Sequence, residues 1–252
     1  MKWFDAQFRA LGADELPPTV ALGGRALRLE QTFTHGFAAA VGLYRCGDDA
    51  VVCKFHRRAR FFGIPLRGIG ELLARYEAAA LKQCEGLEGV PRLRGVPAPD
   101  VVARQFVPGR PLERGTKVSD DFFPRLLALL DSLHRRGVTY NDLEKLHNIL
   151  VGDDGRPYLI DFQTAYWAPR RLLGETTLLR ALRSVLAECD LYHARKHFRR
   201  VRPDLLTEAQ IAETRRRPAI IRAANALTAP YMAARRRLFR RNGGDAAEAT
   251  GE

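Results

Sequence analysis

The sequence predicts an α+β protein with a β-rich first part and a helical second part. Short apolar runs separated by glycine and aspartate occupy the region between residues 26 and 55. Apolar residues then recur at helical spacing over 69–84 and 121–136, and prolines interrupt a helical pattern beyond about residue 175. We therefore expect a small antiparallel β part with one helix over 1–103, and a mostly helical part over 104–241.

Five strands are predicted from runs of apolar and β-branched residues. Gly47-Asp48-Asp49 is a turn signal between two of them, and the glycine-bearing segment 152–157 joins the last two as a hairpin. In chain order, the predicted strands are 26–33, 38–45, 50–55, 149–151 and 158–160.

Two amphipathic helices are predicted, each with one apolar stripe that faces the core. In the 69–84 helix the stripe consists of Ile69, Leu72, Leu73, Tyr76, Ala80, Leu81 and Cys84. In the 121–136 helix it consists of Phe122, Phe123, Leu126, Leu127, Leu130 and Leu133. Both helices should therefore be buried along one side.

Composition excludes several protein classes. No apolar run approaches the ~20 residues that a membrane-spanning helix needs. The four cysteines lie far apart without a C-x-x-C pair, which is typical of reduced thiols and argues against a disulfide framework or a zinc site. We expect a cytoplasmic protein, either free or peripheral on the inner face of the plasma membrane.

The net charge of +12 is concentrated late in the chain, because 192–241 holds fourteen lysines and arginines against three acidic residues. Such a segment suits nucleic acid, anionic lipid or a phosphorylated substrate, and equally a set of solvated arginine faces. Because apolar positions are interleaved with the arginines, we expect 195–241 to contact an anionic membrane surface, and no specific nucleic acid. The last residues, 242–252, read as a disordered tail.

Glu77 interrupts the apolar stripe of the first helix. A carboxylate on the inward face of a helix needs a partner, because its removal from water costs on the order of several kcal/mol. Lys54 ends the apolar strand VVCK, where its stem can pack while its ammonium enters a cleft. Taken singly, each residue also fits a plain surface position. As a pair, they predict a buried ion pair.

Three further polar residues lie at the ends of the predicted hairpin strands. Asp142 follows the second helix, Asn148 comes six residues later, and Asp161 follows the hairpin. Phosphoryl transfer assisted by Mg²⁺ needs one carboxylate to accept a hydroxyl proton, and an amide with a second carboxylate to hold the cation. The order Asp, Asn, Asp therefore predicts this chemistry.

These residues resemble the signature set of protein kinases, with a catalytic loop followed by a D-F-G-type metal motif. The stretch KFHRRARFFGIPLRGIGELLARYEAAALKQCEGLEGVPRL, the VPGRPL at 107–112 and the YNDLEKLHNILVGDDGRPYLIDFQ at 140–163 resemble bacterial lipopolysaccharide (Kdo/heptose) kinases. That group lies in the protein-kinase-like superfamily, near the RIO-type atypical kinases. The resemblance covers about residues 30–165 and implies a two-lobe protein-kinase-like fold.

The resemblance also implies a role for each matching residue, with ATP and Mg²⁺ as cofactors. Asp142 would be the catalytic base, and Asn148 and Asp161 would bind the metal. Lys54 would contact the α- and β-phosphates and Glu77 would hold Lys54. The remaining nucleotide contacts would come from Gly36, Ala39 and Val41 in the phosphate loop, and from Gln105, Phe106 and Val107 beside adenine.

The sequence departs from the kinase pattern in three places. The phosphate loop 34–41 has one glycine, Gly36, where the family has three, and Ala39 replaces the last. Asp142 and Asn148 are one residue farther apart than usual, which would weaken the metal site unless Lys145 and Leu146 bulge out. Tyr140-Asn141 and Gln163 replace residues used in regulation by an activation segment, so such regulation is not expected.

We expect a kinase that transfers the γ-phosphate to a hydroxyl acceptor, preferably a sugar of a lipopolysaccharide core. Two alternatives are an atypical Ser/Thr protein kinase, and a catalytically weak binding module that keeps the fold. Two other features stay open at this point. Arg57, Arg58 and Arg60 beside Phe61 and Phe62 suit either a nucleic-acid groove or a clamp on an acidic sugar or phosphate. Asp190 is a candidate for a buried carboxylate that braces the catalytic loop.

Overall fold

The computed structural model describes residues 2–167, 177–215 and 218. The chain divides into two compact units, Met1–Leu205 and Leu206–Glu252. All predicted site residues belong to the first unit. The boundary predicted at residue 103 stays a prediction.

The first unit begins with a six-stranded antiparallel sheet in the order β1-β2-β3-β4-β6-β5. Three predicted strands are confirmed as β2, β3 and β4: β2 and β4 extend three and two residues beyond their predicted bounds, and β3 is shifted by one residue. The sequence analysis missed β1, β5 and β6. The runs of β5 and β6 contain proline, glycine or arginine, and β1 has only four residues. The strands are β1 Thr19–Leu22, β2 Arg25–His35, β3 Ala39–Cys46, β4 Asp49–His56, β5 Leu93–Ala98 and β6 Val101–Gln105.

Two helices lie in the same part of the chain, where one was predicted. The short helix α1, Lys2–Gln7, was missed because it shows less than two turns of helical pattern. The longer helix α2, Arg67–Gln83, confirms the first predicted helix.

The predicted stripe of α2 was wrong at its start, because Ile69 and Leu72 are 56% and 65% exposed. The buried side is built instead from small residues and Glu77, which allow the helix to approach the sheet closely. Its buried residues are Gly70, Ala74, Glu77, Ala78, Ala80 and Leu81.

The rest of the unit consists of the helices α3 and α4 and five short strands. The second predicted helix is confirmed as α3, with Leu129 buried and Leu127 only half-buried. The predicted hairpin is confirmed as β9 and β10, joined by β7 into a three-stranded sheet, while β8 pairs with β11. These elements are β7 Gly109–Pro111, α3 Phe122–Arg135, β8 Val138–Thr139, β9 Ile149–Gly152, β10 Pro157–Leu159, β11 Tyr166–Trp167 and α4 Thr177–Val201.

Two apolar cores support these elements. One lies within the six-stranded sheet and includes Tyr44, Val51, Cys53 and Phe55. The other joins α2 to α3 and the hairpin, through residues such as Leu81 and Leu126. The candidate site is formed by the polar residues that interrupt these apolar faces.

The second unit is described only from Leu206 to residue 215 and at Pro218. It contains α5, Glu208–Glu213, whose start is fixed by a capping box between Thr207 and Gln210. Most of the basic stretch 195–241 and all of the predicted tail 242–252 lie outside the described residues. In the described part of the chain, no helix is both long and apolar enough to span a bilayer.

Candidate active site

Lys54 and Glu77 form the buried ion pair that the sequence predicted. Strand β4 carries Lys54 and helix α2 carries Glu77, and their Nζ and Oε2 atoms lie 2.9 Å apart. The side chains are only 7% and 1% exposed. Burial by itself would raise the pKa of Glu77, but the Lys54 ammonium and the His56 ring outweigh it and lower that pKa to about 2. Glu77 is therefore held as a carboxylate.

Lys54 also reaches the opposite side of the site, where its Nζ donates to Asp161 Oδ1 at 2.7 Å. Burial would lower the pKa of Lys54, but Glu77 and Asp161 together raise it above its ordinary value. Asp161 has a left-handed backbone, with φ of +68°. Aspartate tolerates this conformation better than most residues do, but still at a cost, which is typical of functional positions.

Asp142 lies in the loop between β8 and β9, with a side chain that is 11% exposed. Its Oδ2 accepts from Lys145 Nζ and from Asn148 Nδ2, each at 2.8 Å. Within the described chain, Oδ1 takes part in no hydrogen bond or ion pair. One carboxylate oxygen is thus fixed by cationic and amide donors, while the other is available to accept a hydroxyl proton.

The extra residue between Asp142 and Asn148 does not separate them. A turn of 3₁₀ helix over Leu146–Asn148 shortens the path, and Asn148 Nδ2 also lies 3.2 Å from the carbonyl oxygen of Asp142. The longer spacing was expected to weaken the metal site. Because of the 3₁₀ turn, it leaves the two side chains in contact.

The hairpin brings Asn148 beside Asp161. The amide of Ile160 donates to the carbonyl of Asn148 at 3.0 Å, so the two candidate metal ligands lie on neighbouring chain segments. Asn148 Oδ1 and Asp161 Oδ2 have no partner among the residues that the structure describes. Two free, hard oxygen atoms fit a Mg²⁺ ion that retains water or phosphate as its other ligands. Among the described residues, no group of three or more His, Cys, Asp or Glu side chains could hold a metal ion by itself.

The carboxylate of Asp190 braces the loop that carries Asp142, as predicted. Helix α4 carries Asp190, which accepts from the backbone amides of Tyr140 and Asn141 at 2.7 and 2.8 Å. His134 Nε2 lies 3.1 Å from the same carboxylate. The hydroxyl of Tyr140 donates to the carbonyl of Ile160, beside Asp161. The loop with Asp142 and the segment with Asp161 are therefore tied together.

The residues predicted to contact the nucleotide lie on strands next to Lys54. Val41 of β3 is paired directly with Lys54, which is paired in turn with Val102 of β6. Gly36 begins the turn before β3, and its N–H donates to the carbonyl of Ala39 at 3.0 Å. The predicted phosphate loop is thus a closed turn beside the strand that carries Lys54.

Of the three residues predicted beside adenine, Gln105 has its side chain engaged elsewhere. Its Oε1 accepts from the backbone N–H of Arg92 at 3.3 Å, and its own backbone N–H donates to the carbonyl of Arg92 at 2.8 Å. Phe106 is half-buried and Val107 is buried. Gln105 is the last residue of β6, and Phe106 and Val107 follow it. Strand β6 is paired with β4, which carries Lys54.

Sequence reasoning missed three residues of this site: His56, Lys145 and Arg104. His56 Nε2 lies 3.1 Å from Glu77 Oε2, so that both His56 and Lys54 lie within ion-pair distance of this carboxylate oxygen. His56 follows Lys54 by two positions on a strand, which places both on one face. That spacing is the signal that could have identified it.

Arg57 was considered as a ligand-binding residue, and the structure assigns it to the scaffold. The side chain is buried, and its guanidinium donates to four backbone carbonyls. Those carbonyls tie α1 to the phosphate loop and to the segment after β4; they belong to Gln7, Arg9, Phe37 and Arg60. Arg58 pairs with Asp14 at 3.3 Å.

No protein-family model matches the chain, and no curated protein matches it. Among solved structures, it is similar to the Rio2 kinase–ADP/Mg²⁺–phosphoaspartate complex from Chaetomium thermophilum, with a TM-score of 0.51 and 18% identity over 71% of this chain and 58% of that chain. A second structure of the Rio2 kinase from the same organism gives a TM-score of 0.50 and 17% identity over 69% and 58% of the two chains.

The chain therefore spans less than two thirds of the length of these kinases. At such low identity the similarity establishes the fold alone. The antiparallel sheet and the helices that follow it form a protein-kinase-like fold, as expected from the resemblance.

Proposed function

We propose that this chain is a kinase that transfers the γ-phosphate of ATP to a hydroxyl acceptor. One observation carries the proposal: two carboxylates, an amide and a lysine from four separate segments converge on one site. Lys54, Asp142, Asn148 and Asp161 come from β4, the catalytic loop, the 3₁₀ turn and the end of the hairpin. A purely structural core would gain nothing from this arrangement, because even paired buried charges are often no more stabilising than apolar residues of the same size.

The residues divide the chemistry between them. Lys54, held by Glu77, which in turn lies beside His56, would bind the α- and β-phosphates. Asp142 would accept the acceptor's proton on Oδ1 as the hydroxyl oxygen bonds to phosphorus and the bond to the β-phosphate breaks. Lys145 would neutralise charge beside it. Asn148 and Asp161 would hold Mg²⁺, which when bound screens the phosphate charge.

The acceptor that we favour is a sugar hydroxyl of a lipopolysaccharide core, reached at the inner face of the plasma membrane. Support comes from the resemblance of residues 30–165 to lipopolysaccharide kinases and from the basic, apolar-interleaved stretch 195–241. A serine or threonine hydroxyl of a protein is the first alternative, because the neighbours in structure are atypical kinases.

A binding module without turnover is the second alternative. The single glycine of the phosphate loop supports it. The long spacing from Asp142 to Asn148 no longer does, because the two side chains remain in hydrogen-bond contact.

The test is transfer of labelled γ-phosphate from ATP in the presence of Mg²⁺, with lipopolysaccharide core and with total protein extract as separate acceptors. We expect label in the glycolipid fraction, lost in Asp142→Asn and kept in Asp153→Asn. Asp153 is an exposed aspartate in the turn of the same hairpin, so it is a matched control. Label in protein alone would favour the first alternative. Nucleotide binding without any transfer would favour the second.

A further inference from the structure

Arg104 is a buried cation with no partner in the described residues. Only 8% of the residue is exposed. Its guanidinium makes no hydrogen bond and no ion pair with any residue that the structure describes. An arginine has five donors. The Arg104 nitrogens are not among the fully enclosed atoms that lack a hydrogen-bond partner, so they still reach solvent from a largely buried side chain. A guanidinium that has solvent access and no protein partner is available to a ligand that supplies acceptors.

The position of Arg104 shows which part of a ligand it would meet. On β6, Arg104 is paired with Val52 of β4, while Val102 is paired with Lys54. Because side chains alternate along strands, Arg104 shares the face of the sheet that carries Lys54. It also directly precedes Gln105, Phe106 and Val107, the segment that the proposed function places beside the base. Arg104 therefore lies on the base side of Lys54 rather than on the phosphate side.

We propose that Arg104 reads the base of the nucleotide, donating to O6 and N7 of a 6-oxopurine, so that the site takes GTP in preference to ATP. The inference rests on the proposed nucleotide site and phosphoryl transfer, and it replaces ATP by GTP as the preferred donor. A guanidinium presents two parallel donors, and guanine presents two acceptors, O6 and N7, at matching spacing. Adenine offers N7 beside an amino group, so that two donors would oppose each other.

Charge balance alone does not account for Arg104. Burial lowers its pKa, while the charges of Glu77 and Asp161 act in the opposite direction from beyond contact distance. Both carboxylates are already paired with Lys54, at 2.9 and 2.7 Å. If Arg104 only balanced charge, its removal would change the affinity for every nucleotide by the same factor. If it contacts the base, its removal would change the ratio of the affinities for guanine and adenine nucleotides.

The experiment measures the dissociation constants of ADP, GDP, IDP and 7-deaza-GDP with Mg²⁺ for the full chain and for two variants. Wild type should bind GDP and IDP at least about tenfold more tightly than ADP, as expected for a bidentate contact. IDP lacks the 2-amino group and so isolates O6, while 7-deaza-GDP lacks N7 and should bind more weakly than GDP. Arg104→Met should bring all four constants to within about twofold of one another.

Arg94→Met is the matched control. Arg94 lies on β5 of the same sheet, and its guanidinium pairs with Asp49 at 2.8 Å, so the preference for GDP should be unchanged. Thermal unfolding of ligand-free Arg104→Met verifies that the variant folds. Equal or tighter binding of ADP by wild type, or an unchanged preference in Arg104→Met, would overturn this inference and leave the proposed function intact. Failure of all four nucleotides to bind would overturn both.

Discussion

Two of the lysine–carboxylate pairs in the site have nearly the same length but different surroundings. Lys54 and Glu77 lie 2.9 Å apart with side chains 7% and 1% exposed. Lys145 and Asp142 lie 2.8 Å apart with side chains 50% and 11% exposed. Breaking a buried pair leaves an uncompensated charge, whereas an exposed pair contributes little to stability. The sheet pair therefore fixes geometry, and the loop pair is free to exchange its partner for a substrate.

This difference matches the two tasks of the proposed reaction. The Lys54 pair is joined to α2 and the sheet, so it can hold a nucleotide without reorganising. The Asp142 pair is next to solvent, where an acceptor hydroxyl must enter. Six substitutions in five experiments distinguish these roles, and we order the experiments by the size of the expected effect.

Asp142→Asn tests the loop side and should have the largest effect. The amide cannot take a proton, so transfer should fall by ~10²–10⁴-fold. Nucleotide affinity should stay within a few-fold of wild type, because Asp142 is assigned to the acceptor. Steady-state transfer and nucleotide titration measure the two quantities. A near-normal kcat would show that Asp142 is not the base.

Asp161→Ala and Asn148→Ala test the metal site between the two pairs. A charged ligand binds Mg²⁺ more strongly than a neutral amide does. We expect Asp161→Ala to lose the Mg²⁺-dependent part of nucleotide binding, and Asn148→Ala only to weaken it. Titration with and without Mg²⁺ provides the measurement. The same Mg²⁺ dependence in Asp161→Ala and wild type would exclude Asp161 as a ligand.

Glu77→Gln tests the sheet pair through stability. The pKa of Glu77 in the folded protein is about 2, below its ordinary value of 4.5. Its contribution is therefore complete above about pH 5 and is lost as the pH falls from 4.5 towards 2. The shift corresponds to about 3 kcal/mol of unfolding free energy at neutral pH.

Urea unfolding of wild type and Glu77→Gln should show this difference at pH 7 and a much smaller one near pH 3. Glu71→Gln is the control, because Glu71 lies on the same helix in an exposed pair with Arg67 and should change stability by less than ~1 kcal/mol. A difference that does not depend on pH would contradict a charged Glu77.

The elements that carry the chemistry were predicted from the sequence better than their surroundings were. Lys54, Glu77, Asp142, Asn148 and Asp161 stand at the ends or on the inner faces of strongly patterned segments, and the structure brings them together. Their individual roles stay predictions.

Other features depend on tertiary packing that a single sequence does not reveal. The start of the α2 stripe was wrong because the buried side is formed by glycine and alanine, which carry little hydrophobic signal. Arg57 read as a ligand residue, yet it binds carbonyls up to 50 residues away in the chain. Arg104 lies on β6, which pairs with β4 and β5 in the folded sheet. Which side chains surround it therefore depends on the order of the strands, and the local sequence does not indicate that order.

Gly70→Ala tests how closely α2 must approach the sheet to position Glu77. A Cβ at Gly70 would lie 2.0 Å from the carbonyl oxygen of Arg57, so the helix would have to shift. We expect a loss of about 1–3 kcal/mol of stability and weaker nucleotide binding. Gly68→Ala, on the same helix, meets nothing within 4 Å and should stabilise slightly. Thermal unfolding of both variants makes the comparison, and equal behaviour would exclude close packing at Gly70.

Lys145→Ala has the smallest expected effect on stability and directly tests the pair that half-exposed Lys145 forms with Asp142. Because Lys145 is half-exposed, its removal should change the unfolding free energy by less than about 1 kcal/mol. Asp142 keeps its contact with Asn148 Nδ2 at 2.8 Å, so the loop should retain its shape. Transfer should nevertheless slow, because the charge beside the reacting group is lost, and Lys145→Arg should restore part of the rate. Urea unfolding and steady-state kinetics are measured on the same preparations. A large loss of stability with an unchanged rate would mean that the loop pair, like the sheet pair, is structural, and the contrast between the two sides of the site would not hold.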